Sequence, residues 1–316
     1  MTTYKEIRGT NIEAVASDPS NPVDGQVWYN TTSNVVKGNT VNPGSWATVN
    51  SMNTARKALG SAGTQTAALA FGGAAPADSV LTESYNGTNW TEVNDLNTAQ
   101  GERTGVGATN TAALAFAGNS ALTETWNGTN WTEVNDLNTA RFGAAGAGTN
   151  TAALAIGGSA SGKVITELWN GTNWTEVNDL NTGRRYLAGC GITTAALAFG
   201  GAVVPPLSAA TETWNGTNWT EVNDLNTARF GAAGAGTNTA ALAIGGSASG
   251  KVITELWNGT NWTEVNDLNT GRRYLAGCGI TTAALAFGGA VVPPLSAATE
   301  TWNGTNWTEV NDLNTA

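Results

Sequence analysis

The thirteen residues Asn-Gly-Thr-Asn-Trp-Thr-Glu-Val-Asn-Asp-Leu-Asn-Thr occur six times without change, beginning at Asn86, Asn127, Asn170, Asn215, Asn258 and Asn303. With Trp46 as a seventh mark, the tryptophan of each copy forms a ruler at Trp90, Trp131, Trp174, Trp219, Trp262 and Trp307, with intervals of 44, 41, 43, 45, 43 and 45 residues. A period in the forties belongs to propeller blades or to helical repeats. No apolar residues recur three and four apart, and the units are rich in Gly, Thr and Asn, so blades are the better reading.

One unit, residues 141–183, divides at its turn signals into four strand-length pieces, FGAAGAG, TAALAIGG, VITELW and WTEVN. The last two are joined by Asn170-Gly171-Thr172-Asn173, a short connection in which Gly tolerates positive φ. Trp169 and Trp174 flank it and are expected to pair across the hairpin. In the second piece Leu154 and Ile156 alternate with Ala153 and Ala155, so a large face and a small face lie back to back. Each small sheet would press its large face on the alanine face of the next, and a closed ring leaves no long edge. The Gly-Ala character of the first piece suits a crowded axis.

Forty glycines among 316 residues and only 12% charged residues agree with many short strands and tight turns. The net charge of −10, with no Lys or Arg run, lacks the electrostatic footprint of nucleic-acid binding. No stretch approaches the ~20 apolar residues of a membrane span, and the N-terminus lacks the plan of a signal peptide, so a soluble chain without membrane insertion is expected. Cys190 and Cys278 are one repeat position copied twice and are expected to be free thiols, being two blades apart. Residues 123–228 are identical to residues 211–316, an offset of 88, which points to recent duplication or deliberate construction.

The order R…AALAIGG…TELWNGTNWTEV…LNTAR resembles the kelch repeat. The second strand ends in a diglycine (Gly157-Gly158, Gly200-Gly201, Gly245-Gly246, Gly288-Gly289). The third carries an aromatic (Trp126, Trp169, Trp214, Trp257, Trp302), a tryptophan follows (Trp131, Trp174, Trp219, Trp262, Trp307), and an arginine such as Arg184 opens the next blade. The resemblance implies an all-β, six-bladed kelch-like β-propeller with four antiparallel strands per blade over residues 46–316. The blades fall at about 56–99, 100–140, 141–183, 184–228, 229–271 and 272–316. Departures are Ala117-Gly118 for a diglycine, Gln100 for the arginine and Tyr85 for the first aromatic. Residues 1–45 form an extension with a hairpin expected around Thr31 to Asn34. Its segment DPSNPVDGQVWYNTTSNVVKGN resembles stretches in tail and virion proteins of marine bacteriophages, which implies association with a virion.

Histidine is absent, so the commonest acid–base group and metal ligand are missing, and no cofactor is expected. Eighteen of the 24 carboxylates fall in three periodic sets, those of Glu124, Glu133 and Asp136. A glycosidase needs one distinctive pair, whereas these copies are equivalent, so solvated or turn-capping roles are expected of them. Arg141 and its counterparts are expected near the inner strands, where a guanidinium bonds several carbonyls or carboxylates. The paired tryptophans could stack on sugars, but every blade needs the same packing filler. Asn-Gly-Thr and Asn-Trp-Thr match the glycosylation pattern and are equally well turn residues.

Function is expected where blades differ, in the connections after the diglycines: AAPADSVL, NSAL, SASGKVI and AVVPPLSAA. In kelch propellers these loops line one mouth of the ring. The candidate ligand-binding cluster there is Arg184, Arg185 and Tyr186 with their copies Arg272, Arg273 and Tyr274, although packing roles are also open to them. The reading is a non-enzymatic binding module with a glycan or host-surface protein as partner. The alternative is a purely structural or engineered scaffold, and an enzyme acting on polysaccharide comes third.

Closure poses a last question, because residues 46–55 and 307–316 have the same pattern and compete for one outer-strand slot in the sixth blade. The C-terminal copy keeps Trp302 beside Trp307, so it is expected to fill the slot and leave residues 1 to about 50 outside the ring or mobile.

Overall fold

A computed structural model describes residues 13–17, 27–32, 34–38, 51–158, 164–203, 206–246, 252–291 and 295–310. The chain divides into two compact units, Met1–Ala47 and Thr48–Ala316. In the first, Glu13–Val15 pairs in parallel with Val27–Asn30, which pairs antiparallel with Val35–Gly38. The hairpin closes at Asn34, whose φ of 56° places it in the left-handed region and whose Oδ1 accepts from the Tyr29 hydroxyl at 3.0 Å.

The second unit contains six four-stranded antiparallel sheets, over 60–93, 104–134, 145–177, 188–222, 233–265 and 276–310, each with its strands in sequence order. These sheets are the six blades of a β-propeller, and there is no helix among the described residues. Blade three shows the local logic. Its strands are Ala145–Gly148, Ala153–Ile156, Thr166–Trp169 and Trp174–Val177, with Trp169 opposite Trp174. The two indole rings lie 5.4 Å apart between centroids. In the turn between them Gly171 has φ +93°, and Asn170 Oδ1 accepts the N–H groups of Thr172 and Asn173 at 2.9 and 2.8 Å, the Asx geometry for which this pair is suited.

Large faces meet small faces as the alternation implies. Leu154 and Ile156 pack against Ala196, Ala198, Trp214 and Trp219 of blade four, while Ala153 and Ala155 receive Leu114 and Phe116 of blade two. Burying each Leu, Ile or Phe stabilises by about 1.5–3 kcal/mol. The second tryptophan also hydrogen-bonds backward, as when Trp174 Nε1 donates to Thr123 Oγ1 of blade two at 3.1 Å. Toward the axis the sheets crowd. A Cβ on Gly105 would lie 2.6 Å from the Ser61 nitrogen and 2.4 Å from the Phe71 ring, so only glycine fits.

Each blade contains a fully buried arginine clamped to its own third strand. In blade five Arg229 Nη1 donates to the carbonyls of Gly245 and Ile253 at 3.3 and 2.8 Å, and Nη2 donates to Glu255 Oε1 at 2.7 Å. Glu255 Oε2 accepts the backbone N–H and side-chain amide of Asn226 at 2.8 and 2.9 Å, which fixes the loop entering the blade. The glutamates at this position (Glu83, Glu124, Glu167, Glu212, Glu255 and Glu300) are at most 1% exposed. This corrects the expectation that all three carboxylate sets are solvated or cap turns. A buried guanidinium needs an anion, and a strand-three carboxylate supplies it. The Asp136 set instead ties the exit of strand four to the start of strand three, with Asp136 Oδ1 accepting from Thr123 N at 3.0 Å.

Blade two keeps this clamp by another route. Gln100 holds the arginine's backbone position, its carbonyl accepting from Gly73 N at 3.1 Å as that of Arg184 does from Gly158 N at 2.8 Å. The guanidinium comes instead from Arg103, three residues on, which donates to the carbonyls of Ala117 and Leu122 at 2.8 and 3.1 Å and to Glu124 Oε1 at 3.0 Å. The departure at Gln100 therefore leaves the charge pair intact.

The ring closes with material from both ends. Trp307–Val310 pairs with Thr299–Trp302, so the C-terminal strand takes the disputed slot. The loop that elsewhere follows this strand comes from the other end of the chain. Met52 N donates to Ala297 O at 3.2 Å, as Leu225 N does to Ala209 O at 3.0 Å, and Asn53 N donates to Glu83 Oε2 at 2.6 Å as Asn226 N does to Glu255. Met52 lies in the core between blades one and six, with Leu59, Trp90, Leu285 and Phe287. Residues 46–50 and 311–316 lie outside the described residues, as do most of the two SASGKVI loops and the centres of the two AVVPPLSAA loops.

Candidate functional site

Two residues after each clamp position the chain bends into the inner strand through the left-handed region. Six residues do this, Ala58, Glu102, Gly143, Tyr186, Gly231 and Tyr274, with φ between 52° and 63°. Glycine accepts that backbone freely, whereas each of the other four pays strain of ~1–3 kcal/mol, a feature that gathers at functional sites. The six form a collar around the axis. Tyr186 N donates to Gly143 O at 2.7 Å, Gly231 N to Tyr186 O at 2.8 Å, Tyr274 N to Gly231 O at 2.7 Å and Ala58 N to Tyr274 O at 2.8 Å.

Side chains of the collar converge. The Tyr186 and Tyr274 rings meet edge to face with centroids 5.2 Å apart, and the Tyr186 hydroxyl donates to Glu102 Oε1 at 2.8 Å. Beside them the Arg185 guanidinium lies 5.4 Å from the Tyr186 centroid and 5.9 Å from that of Phe142, and Arg273 repeats this over Tyr274 and Phe230 at 5.5 and 5.9 Å. Among the described residues neither Arg185 nor Arg273 has an ion-pair partner. Stacking holds each planar fork in place without an ion-pair contact.

Electrostatics single out Glu102. Burial pushes its carboxyl above the ordinary range, opposed by the Tyr186 hydrogen bond and the Arg185 charge. Its Oε2 is buried without a hydrogen-bond partner. Burial also raises the Tyr186 hydroxyl, with Glu102 adding to the shift, so the phenol remains a donor. Glu102 borders two cavities. One, of about 90 Å³, lies on the axis against Tyr186, Tyr274, Leu59, Leu187 and Leu275. The other, of about 250 Å³, opens beside the collar between Lys57, Pro76, Asp78, Asn119 and Tyr274.

Of the six residues singled out in the sequence, the structure brings four to this mouth: Arg185, Tyr186, Arg273 and Tyr274. Arg184 and Arg272 are elsewhere, 0% exposed and paired with Glu212 and Glu300 at 2.8 and 2.7 Å. Their charge serves the blade clamp and is closed to a ligand. Glu102, Lys57, Phe142 and Phe230 join the mouth without having been singled out. The available signal was that Gly101-Glu102 stands where the other blades have Lys-Ala, Phe-Gly or Arg-Tyr after the clamp arginine.

No protein-family model matches the chain, and no curated protein does. Among solved structures, that of YjhT is similar, with a TM-score of 0.68 at 12% identity over 84% of this chain and 100% of that one. The likeness is one of fold. The resemblance to kelch repeats is one of the repeat's own residues alone.

Proposed function

We propose that this propeller is a kelch-type recognition module that binds a partner at the collar mouth and does no chemistry on it. The observation that carries this is the pair of aromatic-stacked guanidinium groups without an ion-pair contact, Arg185 and Arg273, at equivalent repeat positions on one mouth of a chain whose net charge is −10. Preorganised arginine and tyrosine side chains are the residue types that dominate binding energy at recognition surfaces. The neighbouring loops after the diglycines are where the blades differ. A glycan or host-surface protein is the partner this reading favours, with the particle of a bacteriophage as the setting that the N-terminal segment's resemblance supports.

The duplication favours a second reading, a purely architectural or engineered scaffold, since 106 identical residues leave most of two blade pairs unspecialised. Binding of the full chain to a glycan array and to host-surface protein extracts, compared with an Arg185→Ala/Arg273→Ala double variant, separates the two. Recognition predicts a signal reduced at least tenfold in the variant. A wild-type chain that binds nothing supports the scaffold, and release of reducing ends from polysaccharide would overturn the non-enzymatic reading.

A further inference from the structure

Glu102 breaks the sixfold likeness of the collar more sharply than any other residue. It is the only acid among the six, it is strained at φ 54°, and no backbone hydrogen bond links it to either neighbour in the collar while four other links are made. One carboxylate oxygen is satisfied by Tyr186, the other is buried and unpartnered, and the residue lines a cavity. Strain and an orphaned acceptor in one residue gather where function does, and a polar hollow lies beside it.

We infer that the cavity of about 250 Å³ between Lys57, Pro76, Asp78, Glu102, Asn119 and Tyr274 takes one neutral sugar ring. This rests on the recognition reading and gives that mouth its ligand class. The volume falls just below the ~300–1,000 Å³ of drug-sized pockets, which suits a single ring better than a chain of them. Charge decides against an ion. The carboxylates of Asp78 and Glu102 face Lys57 in the wall, and the field of Arg185 acts on Glu102 from outside it, so charges of both signs meet here. What they offer is acceptors at Asp78 and Glu102, a donor at Lys57, both at Asn119, and an aromatic ring at Tyr274 for an apolar face. A polyhydroxylated ring has hydroxyls that donate and accept by turns and one C–H-rich face, and it meets all of these at once.

The test is saturation-transfer NMR on the full chain with methyl α-glucoside, methyl β-galactoside and methyl α-mannoside, beside propylammonium and acetate as charged probes. Glu102→Gly installs the residue that Gly143 and Gly231 already provide at equivalent collar positions, so the ring folds, and Asn119→Ala changes an exposed side chain. The expected result is transfer to at least one glycoside, weakened at least tenfold by E102G and measurably by N119A. Transfer to propylammonium or acetate alone overturns the neutral-ring assignment. If a partner found on the array is lost in the Arg185/Arg273 variant while E102G leaves both it and the glycosides unaffected, this inference fails and the recognition reading stands. If neither the array nor the glycosides give a signal, both fail.

Discussion

The indole nitrogen of Trp90 donates to the hydroxyl of Thr299 at 3.2 Å, joining the first blade to the sixth across 209 residues of sequence. The same bond links every other pair of neighbouring blades, for example Trp131 to Thr82 and Trp219 to Thr166, both at 3.0 Å. The closing seam is therefore built like the interior ones, with the Trp90 ring 4.9 Å from that of Phe287. What differs is the source of its parts, since strand four of the last blade and the loop that should follow it belong to opposite ends of the chain.

The buried clamps set the first prediction. Removing one partner of a buried ion pair leaves an uncompensated charge and costs about 3–5 kcal/mol. Glu167→Ala strands Arg141 and also removes the acceptor of Asn138, so denaturation should report a loss in that range. Glu176→Ala, on the exposed outer strand of the same blade, should stay within about 0.5 kcal/mol.

Ala117 supplies a natural control on the diglycines. It holds φ 60° where other blades have glycine at 61–65°. At Gly157 an added Cβ would meet the Arg184 carbonyl at 2.8 Å. Gly157→Ala should therefore destabilise by about 1–2 kcal/mol, the left-handed penalty for a side chain. Ala117→Gly should range from neutral to about 1 kcal/mol more stable, the relieved strain being offset by glycine's greater entropy loss. Thermal or urea melts of the two variants check both signs.

Glu102 gives a pH prediction. Burial raises its carboxyl above the ordinary value of 4.5, so between that value and the raised one the folded chain binds more protons than the unfolded chain. Stability attributable to this group then falls as pH rises through that window. Glu102→Gln abolishes the titration. Its stability relative to wild type should increase as pH climbs out of the ordinary carboxylate range and become constant above the raised value. A difference that is flat with pH, or of the opposite slope, would show that the carboxyl is not raised.

The blades were legible because their signals are local. Asn170-Gly171 sets a turn, Trp169 and Trp174 flank it, and Leu154 against Ala153 fixes which face is large, all within one unit. The clamp and the collar are not local. Arg103 looks misplaced in sequence and reaches its site only because a side chain spans three residues of backbone. Glu102 reads as one solvated acid in Gly101-Glu102-Arg103 until the ring sets it beside Tyr186, 84 residues away. Arg184 and Arg185 are adjacent and chemically alike, yet one faces the interior of its blade and the other the mouth. Closure was half legible, because residues 46–55 and 307–316 carry one pattern that the fold divides between them, strand from one and loop from the other.

That division is tested most directly by Met52→Ala, measured against Leu225→Ala by urea denaturation. Met52 and Leu225 are 3% and 4% exposed and occupy corresponding places at the closing seam and at an interior one. If the ring closes through the N-terminal loop, both substitutions cost about 2–5 kcal/mol. A Met52→Ala chain within about 0.5 kcal/mol of wild type, with Leu225→Ala at full cost, would contradict closure by both ends of the chain.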